Sequence, residues 1–236
     1  MSVPGASNPL LLSSAAGAAG YEIERSLRFN SADSAHLSRT PASAGNRKTW
    51  TWVGWVKTTA TSGTQALFGT PSGSVEAFDF SGSAFRYYTI GGSGALLTTS
   101  AVFRDPSAWL HVVFAVDTTQ ATNTNRVKLY VNGSQITQFS SSTYPAQNYD
   151  TYFNNNNAIY IGDRGTGIQA LNAYLADVHF IDGQALDPTS FGEFDDNGVW
   201  QPIEYTGTYG TNGFHLPFSD NSSASALGTD DSGNGN

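Results

Sequence analysis

The sequence predicts an all-β fold, a two-sheet antiparallel jelly-roll sandwich, and three observations carry that prediction. Short segments alternate core-type and solvent-type residues with a period of two. Helix-period patterning is nearly absent between residues 21 and 218, and Gly/Ser/Thr-rich loops break the chain at intervals that suit a sandwich. A chain of 236 residues, 39% hydrophobic and 13% aromatic, can build one large two-layer core of ordinary density.

Residues 1–20 are mostly Ala, Gly, Ser and Pro, with few side chains able to pack, so an extended or partly disordered arm is expected there. The domain proper is placed at 21–218, followed by a Gly/Ser/Asn-rich polar tail over 219–236. Thr49–Lys57 (TWTWVGWVK) sets Trp50, Trp52 and Val56 against Val53 and Trp55, and apolarity on both faces marks a central strand. Trp109–Asp117 (WLHVVFAVD) reads the same way, with Leu110, Val112, Phe114 and Val116 on one face and Trp109, His111, Val113, Ala115 and Asp117 on the other. Burying each of the large side chains contributes about 1.5–3 kcal/mol. In Arg126–Val131, Val127, Leu129 and Val131 alternate with Arg126, Lys128 and Tyr130, giving one core face and one wet face. Asn132-Gly133 follows at once; both central residues of a type I′ turn need positive φ, so a tight hairpin into Ser134–Thr137 is predicted. Ala158–Asp163 and Leu175–Gly183 complete the strand series, and a single helical turn is predicted at Asp187–Phe191, with Asp187 as N-cap and Pro188 at the first helical position.

Composition excludes several function classes. Cysteine is absent, so neither a disulfide framework nor thiolate chemistry is available, and assembly in a reducing cytosol is compatible with the sequence. No apolar run approaches the roughly 20 residues of a membrane helix, and residues 1–20 lack the basic start and apolar core of a secretion signal. The net charge of −8 is unevenly spread: residues 165–236 contain no Lys or Arg and ten Asp or Glu. Without a basic stripe to neutralise phosphates, nucleic acid is not an expected partner.

The motifs Trp109-Leu110-His111-Val112, Lys128–Gly133, Tyr160-Ile161-Gly162 and Asp177-Val178-His179-Phe180 occur in an order that resembles the laminin-G-like branch of the concanavalin-A-like lectin/glucanase superfamily. The resemblance covers about residues 25–185 and implies the sandwich; it leaves the ligand open, because that family binds sugars, proteins and lipids through variable loops. Three flanking stretches, Glu24–Trp52, Phe180–Asp195 and Tyr209–Asn236, resemble structural proteins of marine tailed bacteriophages. That likeness implies a virion component (tail fibre, adhesin or capsid-surface decoration) assembled in the host cytoplasm. It also implies a homo-oligomer, taken as a trimer, whose partners are other virion proteins.

Candidate sites follow from the loops and from the superfamily's glucanases. Glycoside hydrolysis needs two carboxyl groups at a suitable separation, commonly on one strand face. Here Glu76 and Asp79 are three apart on a predicted strand, hence on opposite faces. No nucleophile elbow accompanies the histidines at 36, 111, 179 and 215, and no His-x-His or HExxH spacing suggests zinc. No catalytic residue is assigned, and a non-enzyme is expected; the alternative to a virion structural role is a carbohydrate-binding receptor lectin, with glycan hydrolase as the lesser one. His111 and His179 are read as hydrogen-bonded sheet residues. No cofactor is required; a Ca²⁺ site at Asp117, Asn123 and Asp163 would use the oxygen ligands such rims offer, although turn formation is the favoured reading of these Asx residues. The polar stretch Phe139–Asn157 holds Tyr144, Tyr149, Asp150, Tyr152 and Asn155, aromatic faces for sugar C–H groups beside amides and carboxylates for hydroxyls. It is the candidate glycan contact, for host-surface polysaccharide, with an inter-subunit contact or a plain mobile loop as the plainer readings.

Overall fold

The computed structural model describes residues 20–71, 73, 75–165 and 167–236; the arm expected over 1–20 lies outside them except for Gly20. In chain order the strands are β1 (Leu27–Phe29), β2 (Leu37–Arg39), β3 (Thr49–Thr58), β4 (Thr64–Gly69), β5 (Val75–Ser81), β6 (Ala84–Ile90), β7 (Leu96–Thr99) and β8 (Leu110–Asp117). They continue as β9 (Val127–Val131), β10 (Ser134–Gln135), β11 (Phe139–Thr143), β12 (Ile159–Ile161), β13 (Ala173–Asp182), β14 (Gly192–Phe194), β15 (Trp200–Pro202) and β16 (Phe214–Leu216). The first sheet runs β1-β13-β3-β8-β9-β10, with β16 also on β13; the second runs β11-β7-β6-β5-β4-β12-β2; β14 and β15 form a separate hairpin. Every pairing is antiparallel. This is the jelly-roll sandwich.

The two central strands are where their two-sided apolarity requires. β3 lies between β13 and β8, and its Trp50, Trp52 and Val56 enter the core between the sheets, facing Phe68, Phe78 and Phe80 of the second sheet. Trp50 is edge-on to Phe153 at 5.2 Å and Phe78 is stacked on Phe114 at 4.6 Å, so aromatic rings fill the interior. Val53, Val113, Ile181 and Phe191 form a second apolar cluster on the outer face of the first sheet, where Tyr205 and Tyr209 pack against it. The C-terminal third therefore covers an outer face that a two-layer sandwich would otherwise expose.

Local signals act as expected. Asn132 (φ 47) and Gly133 (φ 76) make the turn between β9 and β10. Asp187 caps a short 3₁₀ turn, Pro188–Ser190, accepting from the Thr189 amide. Two expectations change. Phe139–Asn157 is not one continuous loop: Phe139–Thr143 is an edge strand on β7, and Phe153 is fully buried, stacked on Phe68 at 4.3 Å. The polar stretch 219–236 folds back on the domain, where the Asp231 amide donates to the His215 carbonyl and Arg39 donates to the Asn236 side chain. Polar composition alone does not prevent such docking when backbone and amide groups find partners.

Candidate functional site

On the outer face of the first sheet, residues 21–26 form a strap that lines two cavities and is tied to Asp177 through Tyr21. The larger is a cleft of about 920 Å³ between that strap and the β14–β15 hairpin. Its floor comes from β3, because Trp55 alternates with the core-facing Trp52 and Val56 and so points outward, in register with His111 on β8 and Ala176 on β13. Trp109 and Trp200 complete an aromatic lining, with Asn132, Gln201 and Glu22 as polar edges. Phe194 and Val199, each more than half exposed, form the lip.

The lining is held by specific contacts. Trp200 donates its indole N–H to His111 Nδ1 at 3.0 Å, and His111 packs against Trp55 at 5.0 Å between ring centroids. Burial pushes His111 down to about 3, so it is neutral and able to accept that bond. Phe194 meets Trp200 edge-on at 4.9 Å. Gly133 and Gly192 lie flat against the Trp200 ring; a Cβ at either would fall within 2.5 Å of it, so both positions need glycine for the ring to seat. The Trp55 indole N–H is buried with no hydrogen-bond partner among the described residues. Buried donors are normally paired, so this one is an exception, as is the Trp52 indole N–H in the core.

Across the strap, a cavity of about 340 Å³ contains Asp177, His179 and His215 together with Glu204, Tyr209 and Asp231. Asp177 occupies a bulge in β13, where Asp177 and Val178 stand against Gly54 alone, and its backbone is left-handed (φ 49). His215 Nε2 is 2.7 Å from Asp177 Oδ1 and His179 Nε2 is 3.2 Å from Asp177 Oδ2. Tyr21 of the strap donates to Asp177 Oδ1 at 2.8 Å. Against the desolvation of burial, the hydrogen bonds from His179 and His215 push the Asp177 carboxyl well below the usual range, while burial lowers His179. These three side chains place ligand-type atoms within 4.8 Å of one another and could hold a metal ion. His179 was expected only as a sheet residue. The readable signal was Asp177-x-His179, with His215 on a later strand; the register that pairs His179 with His215 is not written in either segment.

Of the residues expected to contact glycan, Tyr149 and Tyr152 are together, ring centroids 6.5 Å apart and edge-to-face. Asp150 between them is exposed and 3.5 Å from Lys48 Nζ. Asn155 is half-buried further along, and Tyr144 packs against Phe139 and the main core instead. The Tyr149–Tyr152 turn is tied down: Thr118 Oγ1 donates to the Tyr149 carbonyl, and the Tyr152 amide donates to Glu76 at 2.5 Å.

The residues expected for Ca²⁺ do not converge. Asp117 pairs with Thr49 at one end of β3 and accepts from Thr119 and Gln120. Asn123 lies in a 3₁₀ turn, its side chain accepting from the Thr124 amide. Asp163 is fully buried on the second sheet's side, accepting from the Gly165 and Gly167 amides at 2.8 Å each, next to the turn that leads to Ala173 at the other end of β3. Separation along a ten-residue strand keeps Asp163 away from the Asp117 loop.

Glu76 and Asp79 do stand on opposite faces of β5. Glu76 shares the core side with Phe78 and Phe80 and accepts from Tyr87; burial raises its carboxyl to about 7. Asp79 faces outward into a bidentate pair with Arg86, at 3.0 and 2.6 Å, and burial raises it to about 6.

Over residues 30–190 the sequence matches the family described as the concanavalin A-like lectin/glucanases superfamily. Domains LG4-5 of the mouse laminin alpha1 chain share the fold, with a TM-score of 0.50 and 14% identity over 82% of this chain and 49% of theirs. A native heptameric SAP-like pentraxin from Limulus polyphemus is similar with a TM-score of 0.48 and 12% identity, over 70% of this chain and 79% of that one. So is tailspike protein 2 of the Escherichia coli O157:H7 bacteriophage CAB120, with a TM-score of 0.48 and 12% identity over 70% and 23%. The chain thus spans about half of the laminin fragment and about a quarter of the tailspike. No curated protein matches the sequence.

Proposed function

We propose, from the premise that this chain belongs to the concanavalin A-like lectin/glucanase superfamily, that it is a non-catalytic, lectin-like structural protein of a bacteriophage particle. In this reading it is a tail fibre, adhesin or capsid-surface decoration, oligomeric on the virion, and its sandwich meets a host-surface polysaccharide. The virion part rests on the likeness of Glu24–Trp52, Phe180–Asp195 and Tyr209–Asn236 to phage structural proteins.

The observation that carries the binding part is the aromatic cleft. The half-buried indoles of Trp55 and Trp109, beside the buried Trp200, suit the C–H faces of a sugar, and Gln201, Asn132 and Glu22 suit its hydroxyls. A single such site binds weakly, with Kd near 1 mM, or about −4 kcal/mol, and several copies on one particle supply avidity. The non-catalytic part is supported by the separate engagement of Glu76 and Asp79 on opposite faces of β5. A second location for the glycan, the Tyr149–Tyr152 turn, is favoured by its paired rings and exposed Asp150.

Binding of host polysaccharide to Trp109→Ala and Tyr152→Ala variants separates the two locations. Trp109→Ala is expected to weaken binding about tenfold, or about 1.4 kcal/mol, with Tyr152→Ala near wild type. The reverse pattern moves the site to the turn, and release of oligosaccharide by the wild type overturns the non-catalytic reading. Immunogold electron microscopy of intact particles tests the virion assignment, and a chain lacking residues 1–20 should fold but fail to incorporate.

A further inference from the structure

We propose that Asp177, His179 and His215 form a binding site for a divalent transition-metal ion of the zinc type, with Nε2 of both imidazoles and one carboxylate oxygen as ligands. Three independent features of the fold bring these groups to one point. The β13 bulge turns Asp177 out of the strand's alternation, at the place where the outer neighbour of β13 changes from β1, paired at Leu175, to β16, paired at Val178. The register of β13 with β16 sets His179 directly opposite His215, and the two rings stack at 4.2 Å and 6°. Both Nε2 atoms face the same carboxylate, at 2.7 and 3.2 Å from its two oxygens.

Zinc bonds to imidazole nitrogen and carboxylate oxygen are about 2.0–2.2 Å, which separates tetrahedral ligand atoms by about 3.4 Å. The three side chains already span that scale, with all ligand atoms within 4.8 Å; tilting the two stacked rings apart, so that their Nε2 lone pairs converge, admits an ion in place of the two N···O contacts. His179 is oriented as ligating histidines are: its Nδ1 lies 2.9 Å from the Tyr209 hydroxyl, which leaves Nε2 as the atom presented to the carboxylate. Tyr21 donates to Asp177 Oδ1, the oxygen that His215 also contacts. Two nitrogens and one oxygen suit Zn²⁺, Co²⁺ or Ni²⁺ and not Ca²⁺ or Mg²⁺, which take oxygen ligands. The adjoining cavity, with Glu204 and Asp231 in its wall, gives a cation a route in and leaves room for water as a fourth ligand. An ion here joins β13 to β16 and, through Tyr21, to the strap, so it would staple the covering C-terminal third to the first sheet.

The test uses the untagged full chain after chelator treatment and dialysis, titrated with Zn²⁺ by calorimetry, with Ca²⁺ as a comparison. One Zn²⁺ per chain at micromolar Kd or tighter is expected, with a raised Tm. His179→Gln and His215→Gln should each weaken binding at least about 100-fold, and Tyr209→Phe about tenfold. Should a glutamine variant fail to fold, Co²⁺ bound to the wild-type chain gives an independent reading: visible bands of a four-coordinate ion and anomalous density between the three side chains support the site. Absence of stoichiometric Zn²⁺ binding by the folded wild type, unchanged affinity in folded glutamine variants, anomalous density elsewhere, or preference for Ca²⁺ would each overturn it.

Discussion

Glu76 is fully buried beneath the Tyr152 turn, and its carboxyl is raised from an ordinary 4.5 to about 7, because desolvation outweighs the hydrogen bonds it accepts from Tyr87 and the Tyr152 amide. Below about pH 4.5 it is protonated in both folded and unfolded chains and has no effect on the balance. Between there and about 7 the folded chain keeps a proton that the unfolded chain releases, so stability falls as pH rises, and above 7 the loss is complete. The expected loss is on the order of 3 kcal/mol, with Asp79, raised to about 6, contributing in the same direction. Urea unfolding from pH 5 to 8 checks this: Glu76→Gln should flatten the decline, and equal slopes in variant and wild type would refute it. The three-residue spacing of Glu76 and Asp79 by itself puts them on opposite faces, because strand parity is local. It did not show that a loop 76 residues away would close over Glu76.

Elements built from strict alternation were legible for the same reason. β3, β8 and β9 are two-sided or one-sided as their side-chain patterns require, and the β9–β10 turn follows from the steric freedom of Asn132 and Gly133. The β13 bulge was harder to read. Leu175, Val178 and Phe180 all face the core, which uninterrupted alternation forbids, so the parity break was present in the sequence without a signal for which residue carries it. Gly133 links turn to cleft. With φ 76 and the Trp200 ring where a Cβ would stand at 2.4 Å, Gly133→Ala must strain the turn or displace the indole. A loss of about 2 kcal/mol in urea unfolding and altered tryptophan fluorescence are expected. A variant with wild-type stability and emission would show that the hairpin and Trp200 are not coupled.

At the scale of the whole molecule, the sandwich was readable and the cleft was not. Trp55, Trp109, Trp200 and the strap come from distant segments, and no spacing within any one of them announces the shared surface. The acidic C-terminal third likewise gave no sign that it would cover a sheet. Its last stretch docks where β16 of the first sheet nears β2 of the second: Asp230 accepts from the His215 amide at 2.8 Å, and Arg39 donates to both the Asn212 carbonyl and the Asn236 side chain. A chain ending at Phe218 should lose about 2 kcal/mol, lowering Tm by about 4–8 °C, and differential scanning calorimetry measures it; an unchanged Tm would mean that this stretch docks without stabilising. Tyr21 and Asp231 line the same small cavity. A short peptide bridge from the last residues back to Gly20 would therefore close the polypeptide into a ring with little loop entropy to overcome. Reopening that ring at the exposed tip near Gly91 should yield a circular permutant with the same sandwich, entered from the opposite side.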